Sequence, residues 1–309
     1  MELLYFAYGS NLDIDDWSEF CNRHNFDPKS IEAIQPARMP DYELGFNVFS
    51  RTRGGGALNI KSRKGGWVNG ALFRVNQNGW NALDFKEGVN EGIYRRIGCR
   101  VIDSTGNLIS AITYVVTDRN YMEFVKPTQH YQDVVEKGLR RFRYDASELY
   151  RVAENQPLKS TQYPLFIYGT LLEGESRSHQ IARFSKSSIE EALMRGTLYA
   201  TDRDYPMLDI FGDPSVNLVK GQLITFDDIS SAISCTDLIE DFFGFENANN
   251  EFSRTISQVR VAETRDPVLA WVYVVSQRER LRNPIPSGCW RTFNLRRSHN
   301  LVNDPSLNA

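Results

Sequence analysis

The sequence contains few of the residues that bind metals or form disulfides. Its 309 residues include four cysteines and four histidines. They are Cys21, Cys99, Cys235 and Cys289, and His24, His130, His179 and His299. No Cys-x-x-Cys pair and no spacing typical of metal ligands occurs among them. We therefore expect no metal, and a reducing intracellular setting such as the cytoplasm.

Long hydrophobic runs and a strong excess of one charge are also missing. No apolar run is long enough to span a bilayer, and the residues after Met1–Phe6 are too polar for a signal peptide. The formal net charge is only −3, from 36 basic and 39 acidic side chains. Such a mixed surface does not favour nucleic acid or an anionic membrane as a partner, and we expect neither.

The sequence does contain a repeat of about half its length. Five motifs recur in the same order at an offset near half the chain. The pairs are 6–12 with 166–172, 70–75 with 221–226, 88–89 with 244–245, 94–96 with 252–254, and 111–116 with 270–275. Five ordered matches indicate a duplication, and a repeat this long predicts two complete domains.

The junction between the repeats lacks hydrophobic patterning. Residues 151–162 are polar and include Pro157, which is typical of a linker. The predicted domains are therefore 1–150 and 163–295. Residues 296–309 are predicted to form a polar, solvated tail.

The apolar patterns predict many strands and few helices in each half. Buried strands at 3–7 and 165–167 open the two halves, and strand-like stretches follow at 42–49, 56–60, 68–75, 95–102 and 109–117. A short helix is predicted over 77–85, capped by Asn76 and ended by Gly88. A second helix carries an apolar stripe from Tyr131 to Phe142. These elements favour a small α+β, barrel-like domain that is repeated.

A glycine turn after the first strand is the first candidate for chemistry. In Tyr8-Gly9-Ser10-Asn11, glycine allows close approach to a ligand, and successive N–H groups can form an anion-binding nest. Ser10 and Asn11 add side-chain donors. An ordinary tight turn is the alternative, and the recurrence at 168–170 indicates duplication rather than function.

Glu87 is the second candidate. It lies at the predicted C-terminus of the short helix, where the partial negative charge of the helix raises a carboxyl pKa. Its apolar neighbours Phe85 and Val89 would act in the same direction. A glutamate with a raised pKa is suited to proton transfer near neutral pH. Taken alone, however, this residue is better explained as a solvated surface glutamate.

Together these motifs resemble the γ-glutamylcyclotransferase family. The resemblance covers nearly all of residues 1–150, through segments 5–12, 55–60, 68–73, 83–89, 94–96 and 126–142. Over about 163–291 the second half resembles the shorter γ-glutamylamine cyclotransferase-like and AIG2-like branch, through 166–171, 196–199, 205–206, 221–223, 271–273 and 286–291. The resemblance implies an α+β fold class, with a tandem pair of small mixed β-barrel domains and flanking helices.

The resemblance also implies an activity without cofactor or metal. The α-amine of a γ-glutamyl amide attacks its own γ-carbonyl and releases 5-oxoproline and a free amine. Glu87 matches the catalytic glutamate of the family, and Tyr131 is a further candidate for a substrate contact. The matched substrate-holding loop consists of Tyr5, Phe6, Ala7, Tyr8, Gly9, Ser10, Asn11 and Leu12. Its counterpart in the second domain consists of Tyr168, Gly169, Thr170 and Leu171.

The second half departs from the family pattern near Gly244. Aligned on that glycine, Phe243 stands where the glutamate belongs, and phenylalanine cannot move a proton. Either this domain is a degenerate copy that stabilises, pairs with or covers the first, or Glu240 or Asp241 takes over from a shifted position. The sequence favours the degenerate copy.

Three functions remain open at this stage. The first is a γ-glutamyl cyclotransferase with one active domain. The second is an enzyme of a specialised pathway that removes a γ-glutamyl protecting group by the same cyclisation. The third is a non-catalytic protein that binds an anionic metabolite, and the intact motif around Glu87 argues against it. The expected partner is a small γ-glutamyl amide, and pairing of the two domains within the chain would make the protein a monomer.

Overall fold

The chain forms two compact units, Met1–Lys159 and Ser160–Ala309. The computed structural model describes residues 3–157, 159, 162–212 and 217–302, excluding the side chains of 298–302. In each unit the described residues close a five-stranded β-barrel. Both barrels mix parallel and antiparallel pairing, and helices flank both. The predicted α+β fold class, a tandem pair of small mixed β-barrels with flanking helices, is confirmed.

The barrel of the first unit has the strand order β1-β3-β2-β4-β5 and closes where β1 runs parallel to β5. Its strands are β1 (Leu4–Ala7), β2 (Ile31–Ser50), β3 (Gly55–Val75), β4 (Tyr94–Asp103) and β5 (Leu108–Val116). Its helices are α1 (Ile14–His24), α2 (Gln77–Lys86), α3 (Gln129–Arg141) and α4 (Ser147–Ala153). The separate strand-like stretches predicted between 42 and 75 are therefore parts of one long hairpin.

The barrel of the second unit has the strand order β10-β6-β12-β11-β7, and here β6 runs parallel to β12. Strands β8 and β9 form a separate two-stranded sheet. The strands are β6 (Leu165–Ile167), β7 (Lys186–Arg195), β8 (Thr197–Ala200), β9 (Pro206–Asp209), β10 (Leu218–Phe226), β11 (Phe252–Val261) and β12 (Pro267–Val275). The helices are α5 (His179–Ala182), α6 (Ile229–Ile239) and α7 (Trp290–Val302).

Helix α2 begins at the predicted residue, Gln77, and ends at Lys86, one residue beyond the predicted end. The Asn76 side chain accepts a hydrogen bond from the Gly79 N–H at 2.9 Å, and Gly88, at φ +60°, adopts the left-handed conformation that ends the helix. Trp80 and Leu83 are buried in the core of the first unit. The C-terminal cap is Glu87, whose N–H donates to the Leu83 carbonyl at 2.9 Å. This packing fixes the helix end on the barrel and holds Glu87 at one place.

A close backbone approach is repeated in both barrels. A Cβ atom at Gly70 would lie 2.2 Å from the Ala7 carbonyl oxygen, and one at Gly221 would lie 2.2 Å from the Ile167 carbonyl oxygen. Only glycine lets the first strand lie this close to its neighbour. The same steric requirement at matched positions supports the duplication.

Two predicted boundaries are wrong. Residues 151–153 are part of α4 rather than a linker, because the polar Arg151 is buried and donates a hydrogen bond to the Pro157 carbonyl at 2.5 Å. The predicted tail begins inside α7, whose first residue, Trp290, is buried. Residues 158, 160, 161 and 303–309 of the predicted linker and tail lie outside the described residues.

Two features are absent from the part of the chain that the structure describes. None of its helices is both long and apolar enough to cross a bilayer. No group of three or more histidine, cysteine, aspartate or glutamate side chains within it is arranged to hold a metal ion.

Candidate active site

Glu87 meets the glycine turn through a hydrogen bond from Asn11. The Asn11 Nδ2 group donates to the Glu87 carboxylate at 2.8 Å and to the Tyr5 hydroxyl at 2.9 Å. Asn11 is buried, and among the described residues its Oδ1 atom has no hydrogen-bond donor. Two motifs 76 residues apart in sequence therefore form one site.

A cluster of charged side chains lies next to Glu87. Asp16, on α1, accepts hydrogen bonds from Arg53 at 2.7 Å and from Lys86 at 2.9 Å. All three side chains are largely buried, with between 10% and 18% of their surface exposed. Burial acts to raise the pKa of Asp16, but the two cations outweigh it, so that the pKa is lowered and Asp16 remains charged.

The environment of Glu87 favours its protonated form. Burial raises the pKa of Glu87, against the opposing effects of Lys86, the Asn11 hydrogen bond and Arg53. Burial likewise lowers the pKa of Lys86, since an ammonium is poorly solvated there. Glu87 is thus a carboxylate whose proton affinity is shifted toward neutral pH, as acid–base catalysis requires.

Tyr131 joins this site from helix α3. Its hydroxyl accepts a hydrogen bond from the Leu58 N–H at 3.3 Å and would lie 3.6 Å from a Cβ atom at Gly9. The Arg53 guanidinium lies over its ring at 5.3 Å from the ring centroid. Burial raises the pKa of Tyr131 to about 12, so the hydroxyl stays neutral in the physiological range.

The other predicted loop residues have different environments in the structure. Ser10 is partly buried at the start of a short 3-10 turn, Ser10–Leu12. The Tyr8 hydroxyl donates to the Tyr114 carbonyl at 2.8 Å, so it is already engaged by the barrel. Three predicted substrate contacts are side chains of the hydrophobic core with at most 1% of their surface exposed: Phe6, Ala7 and Leu12.

The sequence did not identify three charged residues of the site: Asp16, Arg53 and Lys86. Helix α1 could have been recognised, because Asp13 caps its first turn and Trp17 and Cys21 follow at helical spacing. Arg53 follows the end of β2, where a charged side chain is usually exposed to solvent. However, it is largely buried because Asp16 and Tyr131 hold it.

A network of three side chains fixes the end of α2. Asp84 accepts two hydrogen bonds from Arg96, at 2.7 and 2.8 Å, and a third from the Tyr114 hydroxyl at 2.8 Å. Tyr114 is also the residue whose carbonyl accepts from Tyr8. This network connects the glycine turn to the helix three residues before Glu87.

The second unit repeats this network. The Tyr168 hydroxyl donates to the Tyr273 carbonyl at 2.8 Å, and the Tyr273 hydroxyl donates to Asp237 at 2.6 Å. Arg254 lies 3.6 Å from Asp237. By the order of the repeat, Tyr168, Tyr273 and Arg254 correspond to Tyr8, Tyr114 and Arg96. Asp237 therefore corresponds to Asp84.

This correspondence corrects the alignment of the second half. Glu240 follows Asp237 by three residues and caps the C-terminus of α6, as Glu87 follows Asp84 and caps α2. The next residue, Asp241, is left-handed at φ +48°, as Gly88 is at +60°. Phe243 has 57% of its surface exposed and does not occupy the position of the glutamate. Glu240 is the counterpart of Glu87.

Glu240 lies in a cavity of about 210 Å³. Burial raises its pKa to about 7, opposed by Arg177 and reinforced by the nearby carboxylates. Its lining includes the whole predicted loop of this unit: Tyr168, Gly169, Thr170 and Leu171. The predicted loop and a carboxylate thus meet in the second unit as well.

Comparison with known proteins identifies the family of this chain. Residues 165–292 match the family model described as "Gamma-glutamyl cyclotransferase, AIG2-like", and residues 67–141 match the AIG2-like family. Over 141 residues the chain is 32% identical to the human protein named gamma-glutamylcyclotransferase, covering 44% of this chain and 70% of that protein. This chain belongs to the γ-glutamylcyclotransferase family. The family resemblance of the sequence is thereby confirmed.

Two further relatives belong to the same group. A Niallia circulans protein named gamma-L-glutamyl-butirosin B gamma-glutamyl cyclotransferase is 28% identical over 148 residues, 46% of this chain and 86% of that protein. A solved structure titled "Gamma-glutamyl cyclotransferase" is 29% identical, covering 49% of this chain and 86% of that chain, with a TM-score of 0.42. The curated relatives support a function of the γ-glutamyl cyclotransferase type.

Proposed function

We propose that this protein cyclises a γ-glutamyl amide to 5-oxoproline without a cofactor, and that Glu87 moves the proton. The observation that carries the proposal is the hydrogen bond from Asn11 to Glu87 at 2.8 Å, which joins the glycine turn to a carboxylate whose pKa is raised by burial. Both parts are needed, since the reaction requires a folded substrate and a base beside its amine.

Asn11 and Glu87 together can receive an ammonium group. The unpartnered, buried Oδ1 atom of Asn11 is an acceptor that a bound donor would satisfy. The Glu87 carboxylate is the neighbouring acceptor. An α-ammonium placed between them would be desolvated and would lie within reach of the base.

The charged cluster complements the other end of the same amino acid. Arg53 keeps further donors beyond the one that contacts Asp16, and it lies at the edge of the site over Tyr131. Together with Lys86 it gives this side of the site positive charge. The α-carboxylate of the substrate would be attracted there, which leaves the γ-carbonyl directed toward the α-amine.

The reaction then needs no group from outside the substrate and the protein. Glu87 takes one proton from the α-ammonium, and the resulting amine attacks the γ-carbonyl carbon to form the ring C–N bond. As the tetrahedral carbon collapses, the original amide C–N bond breaks and Glu87 returns its proton to the departing nitrogen. The second proton lost by the ring nitrogen also passes to the released amine. Protons therefore balance, and no water is consumed.

Positioning of the reacting groups and proton transfer by Glu87 contribute to the reaction rate by different amounts. Holding the two reacting groups of one molecule together can contribute several kcal/mol, up to roughly 7–11 in the best cases. General acid–base catalysis contributes about 10²–10⁴-fold. Substituting Glu87 should therefore affect kcat more than substrate binding.

The experiment is 5-oxoproline release from a panel of γ-glutamyl dipeptides and γ-glutamyl amines. Glu87→Gln should lower kcat for at least one substrate by about 10²–10⁴-fold with little change in KM, because glutamine keeps the shape but cannot take a proton. The matched control is Glu91→Gln, an exposed carboxylate just beyond the same helix. Unchanged kcat for every substrate that wild type cyclises would refute the role of Glu87. The best substrate would also show whether the amine is an amino acid or a specialised metabolite.

A further inference from the structure

The cavity around Glu240 keeps the hydrogen-bonded framework of the Glu87 site, but different residues surround its carboxylate. By the order of the repeat, Leu165 replaces Tyr5 and Leu171 replaces Asn11. Among the residues that the structure describes, none donates a hydrogen bond to the Glu240 carboxylate. The carboxylate lines the cavity, where it is accessible to a ligand.

Arg177 places a positively charged side chain in the lining of this cavity. It lies in the turn before α5, partly buried, with its guanidinium 5.7 Å from the centroid of the Tyr205 ring. Within the described parts of the chain, no group accepts a hydrogen bond from this guanidinium. Of the positive charges around Glu240 it has the largest effect on that carboxylate. A guanidinium binds a carboxylate through two parallel N–H groups, so Arg177 is suited to an anionic ligand.

The cavity is large enough for more than solvent. Its volume is about 210 Å³, whereas a single water needs only roughly 10–15 Å³ of such space. The Glu240 carboxylate and the Arg177 guanidinium both belong to residues that line this space. This pair matches the two charged groups of an α-amino acid, whose ammonium would face Glu240 and whose carboxylate would face Arg177.

We propose that the second unit holds a second cyclisation site, in which Glu240 moves the proton and Arg177 binds the α-carboxylate of a γ-glutamyl amide. The proposal rests on the function proposed for the first unit, since it assigns the same class of reaction. It also replaces the expectation of a degenerate copy. The observations that carry it are the repeated Tyr–Tyr–Asp network and the cavity that contains both charges.

The chemical step is the same and balances in the same way. Glu240 takes a proton from the α-ammonium, the amine forms the ring C–N bond at the γ-carbonyl, and the amide C–N bond breaks as Glu240 returns the proton to the leaving nitrogen. The second proton of the ring nitrogen passes to the released amine. The products are again 5-oxoproline and an amine.

The charges around Glu240 give this site its own pH range. The titratable and charged groups that line the cavity with Glu240 are Tyr168, Arg177, Arg203, Tyr205, Asp241, Glu251 and Tyr273. The buried Asp237 does not line the cavity, but its charge also acts on Glu240. Burial and the carboxylates Glu251, Asp241 and Asp237 raise the pKa of Glu240 to about 7, and only Arg177 among the main contributors lowers it. Because the base must be ionised to accept a proton, activity at this site should increase as the pH rises through about 7.

The test uses the full chain with Glu87→Gln, so that 5-oxoproline release reports the second unit. At pH 8 this variant should still cyclise at least one γ-glutamyl amide of the panel. Adding Glu240→Gln should lower the remaining kcat by about 10²–10⁴-fold. Adding Glu263→Gln, an exposed carboxylate in the β11–β12 turn, should not change it.

Arg177→Gln is a second test of the site, and this residue lies before α5, away from the end of α6 that Glu240 caps. In the Glu87→Gln background it should raise KM about tenfold or more and lower kcat less, because Arg177 binds the α-carboxylate in the ground state and the transition state alike. No 5-oxoproline from Glu87→Gln, or equal release with and without Glu240→Gln, would overturn the second site. If 5-oxoproline release depended on Glu240 but never on Glu87, the function proposed for the first unit would be refuted and the second site would stand.

Discussion

Glu87 and Glu240 end corresponding helices of one duplicated fold, yet their surroundings differ. Asn11 donates a hydrogen bond to Glu87, and two cations lie beside it. Glu240 has an apolar residue, Leu171, at the position of Asn11, and it faces three carboxylates and one arginine. In both units the network of tyrosines and an aspartate positions the carboxylate, while the residues around each carboxylate set its proton affinity.

The two sites also differ in how their charges are compensated. In the first unit Asp16 accepts hydrogen bonds from both Arg53 and Lys86, so the cations are held in place before any ligand binds. In the second unit no described residue accepts a hydrogen bond from the Arg177 guanidinium, which leaves it for a ligand. We therefore expect the first site to depend more on its internal ion pairs for stability.

The largest expected effect is that of Asp16→Asn on stability. Replacing this carboxylate by a neutral amide leaves Arg53 and Lys86 largely buried without their counter-charge, which should cost about 2 kcal/mol of unfolding free energy. Urea denaturation of the full chain would measure it. The control is Asp15→Asn on the same helix, whose solvent-exposed ion pair with Lys137 should contribute little to stability. Equal effects of the two variants would show that the buried cluster is not a stabilising unit.

Asn11→Leu gives the first site the residue of the second. The hydrogen bond from Asn11 stabilises the ionised form of Glu87 and lowers its pKa, so its removal should raise that pKa further. The acid limb of kcat/KM for Glu87-dependent substrates should then move to higher pH by about one unit. Asn81→Ala, which removes an exposed amide on α2, is the control. An unshifted limb would mean that Asn11 does not influence the ionisation of the base.

The reverse exchange, Leu171→Asn, should have the smallest effect. An amide at this position would donate to Glu240, stabilise its charge and lower its pKa from about 7. The acid limb of Glu240-dependent release should move to lower pH by about half a unit. Leu171→Met keeps the site apolar and should leave the limb in place. A shift with methionine as large as that with asparagine would exclude a specific hydrogen bond as its cause.

The features that were predictable from the sequence are local ones. Helix α2 has its cap and its terminal glycine within the segment itself, so Asn76, Glu87 and Gly88 could all be placed. The charged cluster could not, because its ion pairs join residues 37 and 70 positions apart. Such pairs depend on how α1 and the β2–β3 hairpin pack, and a short sequence motif does not predict that packing.

The glycine-based alignment placed Phe243 rather than Glu240 at the position of Glu87 for a specific physical reason. Helix α6 has 11 residues and α2 has 10, so distances counted from the helix start do not agree. The left-handed residue after α6 is Asp241 rather than a glycine, and aspartate tolerates this conformation better than most side chains. Aligning glycine with glycine therefore chose Gly244, beyond the helix end. The tyrosine and aspartate hydrogen bonds, which define the true register, are visible only in the folded chain.

The pH dependence of kcat/KM for 5-oxoproline release tests the central claim most directly. It would be measured for Glu240→Gln and Glu87→Gln separately, each with the panel substrate that it cyclises fastest. We predict an acid limb near pH 7 for the release that depends on Glu240, since burial raises the pKa of that residue to about 7. For the release that depends on Glu87 we predict a limb at lower pH, because Lys86, the Asn11 hydrogen bond and Arg53 all oppose the effect of burial on its pKa. Coincident limbs, or undiminished release by the Glu87→Gln/Glu240→Gln double variant, would contradict the assignment of two non-equivalent sites.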